Sequence, residues 1–183
     1  RESLATDDVL LHIGALCTQL RAIDFSCNYA ITDQGMETLV KNCTQLQHLQ
    51  CEHNIQLTNL SLQYIATYLS ESLAALSIDG CTHFTAYHLV CVLHRCAKLT
   101  RLSTSVSDNA IAYLAQGMCL TQLDLTAVTL SEDVYSVLAK NCVDLHTLSL
   151  IYCMNERKLA KCALIAGCKK LTTVKVTYKV TPG

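Results

Sequence analysis

The stretch Leu20 to Leu46 reads L-R-A-I-D-F-S-C-N-Y-A-I-T-D-Q-G-M-E-T-L-V-K-N-C-T-Q-L, and the same order of apolar and polar residues restarts at Leu46, Leu73, Leu99, Leu120, Leu145 and Leu171. Self-similarity at a period of about 26 residues is the signature of a solenoid built from stacked supersecondary units. Within the unit the hydrophobic period changes. Leu20, Ile23 and Phe25 stand against Ala22, Asp24 and Ser26 as the two faces of a half-buried strand. From Thr32 onward, Met36, Leu39 and Val40 fall at helical spacing, with Thr32 as N-cap and Asp33 where the helix dipole favours an anion. One strand followed by one helix is the expected unit.

The copies differ in ways that matter for the fold. Leu4, Val9, Leu10, Ile13, Leu16 and Cys17 match only the helical half, with Thr6 or Asp7 as N-cap. The second unit has Leu46, Leu49 and Cys51, then Leu62, Ile65 and Leu69; it lacks the terminal cysteine, and its connection through Ser70 to Ser72 is one residue longer. Leu73, Leu76, Ile78, Cys81, Phe84, Leu89, Val92 and Leu93 make the third. In the fourth, Leu99 and Leu102 open a strand, but Val106, Ser107 and Asp108 follow Thr104 almost at once, about four residues early for the period. Either a segment is lacking between Ser105 and Val106 or the repeat is short. Leu120, Leu123, Leu125, Leu130, Val137, Leu138 and Cys142 restore the pattern. The sixth unit has Leu145, Leu148, Leu150 and Cys153, with Glu156 in an apolar slot before Leu159, Leu164 and Cys168. Leu171, Val174 and Val176 make a last strand, so residues 1–183 are expected to form a single repeat domain, partial at both ends.

Twelve cysteines would mean a disulfide scaffold if their spacing were that of one. They follow the repeat instead. Cys17, Cys43, Cys96, Cys142 and Cys168 each stand three residues before a unit-opening leucine, as buried, reduced packing residues of an intracellular protein would. Fourteen basic against 15 acidic residues give no electrostatic reason to expect nucleic acid. No apolar run reaches the roughly 18 residues of a membrane span.

The units L-x-x-L-x-L-x-x-[CN]-x-x-[IL]-T-D, each closing on a helix and a cysteine, resemble the cysteine-containing subtype of leucine-rich repeat, most clearly at Leu20 to Cys43, Leu73 to Cys96 and Leu145 to Cys168. The resemblance implies an α/β class fold, a right-handed solenoid with parallel concave strands and convex helices. It also implies a function, since this subtype resembles the substrate-recognition half of F-box and leucine-rich-repeat proteins. There the repeats hold a target for an SCF-type ubiquitin ligase and a separate F-box engages Skp1 and, through it, a cullin. No compact helical module of that kind precedes the repeats in these 183 residues, and the helix after Asp7 reads as a repeat helix. Relatives without an F-box serve as scaffold subunits of large assemblies, for which ciliary or mitochondrial settings are possible homes alongside cytoplasm and nucleus.

The expected binding surface is the outward side of the strands. Its residues are Asp24, Ser26, His48, Gln50, Glu52, Ser77, Asp79, Arg101, Ser103, Asp124, Thr126, Ser149, Ile151, Lys175 and Thr177, with Ile151 and Tyr152 as apolar and aromatic anchors. Other chemistry has less support. Cys81, His83, His88, Cys91, His94 and Cys96 are metal-ligand types, but the pattern spreads them along a helix and places its cysteines at opposite ends. Cys27, Cys51 and His53 offer a thiol and an imidazole, yet Cys51 occupies a buried slot and no organising acid is implied. Lys169, Lys170, Lys175 and Lys179 read as a solvated terminus. No cofactor, metal or catalytic residue is expected.

Overall fold

The computed structural model describes residues 5–106, 111, 119–153, 164 and 166–177. The chain divides into two compact units, Arg1–Leu99 and Thr100–Gly183. In the first, helices α1 (Asp7–Leu16), α2 (Asp33–Asn42), α3 (Asn59–Tyr68) and α4 (Ala86–Arg95) alternate with strands β1 (Ala22–Asp24), β2 (His48–Gln50) and β3 (Ala75–Ser77). The strands pair in parallel, Ile23 opposite Leu49 and Leu49 opposite Leu76. Parallel neighbours need a crossover, and here each crossover carries one helix.

The second unit holds β4 (Arg101–Thr104), β5 (Gln122–Thr126), α5 (Glu132–Asn141), β6 (Thr147–Ile151) and β7 (Thr173–Thr177). Its strands are also parallel, with Leu102 opposite Leu123, Leu123 opposite Leu148 and Leu148 opposite Val174. Arg101 sits opposite Gln122, only 21 residues on, where Ala22 and His48 are 26 apart. The register thus spans 21 residues across the fourth repeat. Thr104, fully buried in the inward slot filled elsewhere by Phe25, Cys51 and Ile78, accepts on Oγ1 from the Val106 N–H at 3.2 Å and closes the abbreviated turn.

The cysteines before each leucine are helix C-caps. The N–H of Cys17, Cys43, Cys96 and Cys142 each donates to the residue four back at 2.8 Å, and each carbonyl accepts from the leucine that opens the next strand. A small apolar residue fits there because the cap lies against the sheet: Cys43, Cys96 and Cys142 are buried. In the second repeat Leu69 fills the same slot, also buried, and its carbonyl accepts from both Ser72 and Leu73, which accommodates the extra residue of that connection. Burial pushes the Cys96 thiol up to about 11 and the Cys142 thiol up to about 12.

At the flanks apolar repeat positions are exposed, Cys17 among them against the expectation that it is buried. Leu10 of α1 is buried with Gly14, but Val9, Leu11, Leu16 and Cys17 are exposed, because α1 packs on α2 and, among the described residues, on nothing along its other side. Val174 and Val176 take the inward register of Leu148 and Leu150 yet remain 41% and 38% exposed, since no described helix follows β7. Glu156 and Leu159 lie outside the described residues.

Candidate functional site

The outward side chains of the first unit form short rows in register: Ala22, His48 and Ala75; Asp24, Gln50 and Ser77; then, just past the strands, Ser26, Glu52 and Asp79. Several of them hold one another. The Asp24 carboxylate accepts from the Ser26 N–H at 2.9 Å, Ser26 Oγ accepts from the Glu52 N–H at 3.0 Å, and Ser77 Oγ donates to the Glu52 carboxylate. Such bonds fix rotamers that a solvated strand face would otherwise leave free, which lowers the entropy lost when a ligand orders them.

In the second unit the rows are Arg101, Gln122, Thr147 and Thr173; Ser103, Asp124, Ser149 and Lys175; and Thr126, Ile151 and Thr177. Gln122 Nε2 donates to the Asp124 carboxylate at 2.7 Å. Ile151 is half-buried between threonines, and Tyr152 beside it is 46% exposed.

At the C-terminal edge of the strands one backbone device recurs. Cys27, His53 and Gly80 in the first unit, and Ala127 and Tyr152 in the second, have φ of 62°, 57°, 69°, 55° and 54°. Each stands two residues past the last inward position of its strand. The left-handed turn aims the N–H of Cys27, His53, Ala127 and Tyr152 at the next repeat, where Glu52, Asp79, Ile151 and Thr177 carbonyls accept at 2.7 to 2.8 Å. Only one of the five is a glycine, so four side chains are held on this edge against their backbone preference.

Two residues expected to be outward are not accessible. Asp79 is 7% exposed: β3 has already ended at Ser77, and the His53 ring lies over Gly80, where an added Cβ would come 2.1 Å from Nδ1. Ser149 is 4% exposed because it stands between the longer side chains of Asp124 and Lys175. Tyr152 belongs to the left-handed edge rather than to the strand row. Conversely, Tyr29 and Ile55, at one repeat position two residues beyond Cys27 and His53, are 49% and 45% exposed. Their shared place in the repeat was the available signal, but the loop they occupy has no alternation from which to read a direction.

The remaining chemical groups are dispersed. The Cys51 thiol is buried and faces the Ser77 carbonyl at 3.6 Å, so it does not meet exposed Cys27 or His53 at the surface. His88 bonds to Thr85 Oγ1 at 3.0 Å, while Cys81 and Cys96 are buried at opposite ends of α4. Among the described residues no group of three His, Cys, Asp or Glu side chains is placed to hold a metal ion, and no helix is long and apolar enough to cross a membrane. Lys170 pairs with Asp144 at 2.6 Å and holds that carboxyl below its usual range; Lys179 lies outside the described residues.

No protein-family model matches the sequence. A chain from the crystal structure of the Rad7 and Elc1 complex in yeast superposes with a TM-score of 0.80 over 94% of this chain, at 22% identity. The fold is a leucine-rich-repeat-like α/β solenoid. This chain spans 45% of the length of that one. The tropomodulin C-terminal domain of Caenorhabditis elegans aligns over 91% of this chain and 93% of its own, with a TM-score of 0.49 and 10% identity, too distant to add to the argument.

Proposed function

We propose that the chain is a non-catalytic protein-binding repeat domain, and that it serves as the substrate-recognition part of an SCF-type ubiquitin ligase whose Skp1 and cullin contacts are made through an F-box elsewhere. The observation that carries the binding role is the strand face of the second unit, with polar side chains in register and a left-handed edge that displays Tyr152 next to Ile151. A surface of this kind binds another protein through a few anchors and many modest polar contacts. The structural neighbour comes from a two-protein complex, which supports the same role.

The test is purification of the full-length protein from its own cells, crosslinking and mass spectrometry. Recovery of Skp1 and a cullin, with a third protein crosslinked beside Lys175, is the expected result. Paired substitution of Ile151 and Tyr152 by alanine should weaken that third protein's binding at least tenfold, about 1.4 kcal/mol, while leaving Skp1 recovery unchanged. A stable assembly without Skp1 or cullin would replace the ligase role with that of a scaffold subunit.

A further inference from the structure

Two residues past the left-handed turn, the third and fifth repeats hold Thr82 and Thr129, both exposed, as a slot facing water would. The first and second repeats place Tyr29 and Ile55 there, also exposed. Single apolar residues scattered over a surface are ordinary, but two in the same slot of neighbouring repeats form a patch. Their backbone is held. The Ile31 N–H donates to the Asn28 carbonyl at 3.2 Å, the Leu57 N–H to the Asn54 carbonyl at 3.3 Å, and the Asn28 N–H joins the two turns by donating to Asn54 Oδ1 at 3.0 Å. The outward positions of the same two repeats carry Asp24 and Glu52 and no lysine or arginine. Each carboxylate accepts from a neutral donor, Asp24 from the Ser26 N–H at 2.9 Å and Glu52 from the Ser77 hydroxyl, and among the described residues neither is in an ion pair. We propose, resting on the protein-binding role above, that this edge of the first unit docks a segment of the partner protein that carries a lysine or arginine close to an apolar side chain.

Charge and spacing define that segment. Its cation faces Asp24 and Glu52, two negative charges that no lysine or arginine of the described chain pairs with, and its apolar side chain covers Tyr29 and Ile55. Glu52 and Ile55 are three residues apart, so no more than about 10 Å separates them, and an extended ligand matches both with two side chains within about three residues of each other. The surface gives up little on binding. The hydrogen bonds that hold both carboxylates, and the closed turns that carry Tyr29 and Ile55, have already removed much of the freedom a ligand would freeze. The outward rows of the second unit offer Arg101 and Lys175 against Asp124, so like charge turns a basic segment away from that unit and toward the first. An acidic segment meets the reverse preference.

The test presents the full chain, under reductant, to an array of short immobilised peptides in which each position is varied in turn, at low and at high salt. Peptides with lysine or arginine within about three residues of leucine, isoleucine, methionine or phenylalanine should be selected, and their binding should fall as salt rises. Asp24→Asn with Glu52→Gln keeps both side-chain acceptors and removes only the charge; it should weaken the selected peptides about tenfold at low salt and erase their salt dependence. Tyr29→Thr with Ile55→Thr installs the residue of the third and fifth repeats, so circular dichroism and Tm should be unchanged while binding falls about tenfold at both salts. Replacing Ile151 and Tyr152 by alanine should leave the selection as it is. The proposal is overturned if lysine and arginine are not enriched, if the double threonine variant selects as the wild type does, or if selection is lost only on replacing Ile151 and Tyr152. That last outcome would leave the protein-binding role standing on the second unit alone, whereas recovery of an assembly without Skp1 or cullin would remove the ligase role and leave the peptide selection intact.

Discussion

Among the described residues, the joints between repeats are of different kinds in the two compact units. In the first, strands of three residues are supplemented by side chains that step from repeat to repeat: Asp7 accepts from the N–H and hydroxyl of Thr32 at 2.8 and 2.6 Å, Asp33 does the same for Thr58 at 2.9 and 2.6 Å, and Asn59 for Thr85 at 2.9 and 3.2 Å. Asn28 and Asn54 make a second ladder, the Asn28 N–H donating to Asn54 Oδ1 at 3.0 Å. In the second unit β5, β6 and β7 each run five residues and pair over all five. The slot of Asn28 and Asn54 there holds buried Val128 and then Cys153, whose thiol donates to the Leu125 carbonyl at 3.2 Å, and backbone pairing continues through Thr126, Ile151 and Thr177. Buried backbone groups at the strand ends must find partners, and side chains and longer strands are two ways of supplying them.

The sharpest way to break this comparison is Asp33→Ala. Its carboxylate receives the Thr58 N–H and hydroxyl, together with the Ser61 N–H at 3.1 Å and the Ser61 hydroxyl, so truncation leaves several half-buried donors without their acceptor. Urea unfolding should show a loss of about 2–3 kcal/mol, since each orphaned donor costs roughly 1 kcal/mol and water recovers part of it. A loss within experimental error would mean that the side-chain ladder is ornament and that both units depend on backbone pairing alone.

The capping thiols give each unit an alkaline signature. Below pH 9 the thiols of Cys96 and Cys142 are protonated in both the folded and the unfolded chain, and their contribution to stability is complete. As the pH rises above 9.0, the unfolded thiols ionise while the folded ones stay neutral, up to about 11 for Cys96 and about 12 for Cys142. Stability therefore falls with pH across that window, by about 1.4 kcal/mol per pH unit for each thiol, and the Cys142 contribution continues falling after that of Cys96 has levelled. Urea titrations at stepped pH should show the downward slope reduced by about 1.4 kcal/mol per pH unit in Cys96→Ala or in Cys142→Ala between pH 9 and 11. Identical slopes in wild type and variants would show that the caps are open to water.

Much of this was legible in the sequence because the repeat averages over its copies. Leucine spacing located the strands, the Thr-Asp pair at 32 and 33 located a helix start, and the missing cysteine and longer connection of the second repeat were visible, though not that Leu69 fills the cap slot. What the repeat hides is where a copy is surrounded differently. Asp79 reads as outward by alternation, but it is 7% exposed, beside Gly80 where the chain turns and the His53 ring of the preceding repeat lies close. The left-handed turn was less visible still. Its conformation is imposed by the hydrogen bond to the next repeat, so cysteine, histidine, alanine and tyrosine adopt it without any residue in the sequence announcing it.

That turn provides the finest comparison between units, because Gly80 in the first and Ala127 in the second occupy the same repeat position with φ of 69° and 55°. An L-residue in the left-handed region is strained by roughly 1–2 kcal/mol, and a glycine recovers most of it while adding freedom to the unfolded chain. Ala127→Gly should therefore stabilise the protein by about 0.5–1 kcal/mol. Gly80→Ala should destabilise it by about 1–2 kcal/mol, since the added methyl meets the His53 ring as well as the strain. Because His53 is exposed and its ring can swing away, His53→Ala in the Gly80→Ala background should return the part due to the collision and leave the part due to φ. Thermal melts of the four proteins separate the two contributions. If Ala127→Gly instead lowers Tm, the turn is not strained at that position, and the hydrogen bond from the Ala127 N–H to the Ile151 carbonyl would have to be credited with making the left-handed conformation intrinsically favourable there.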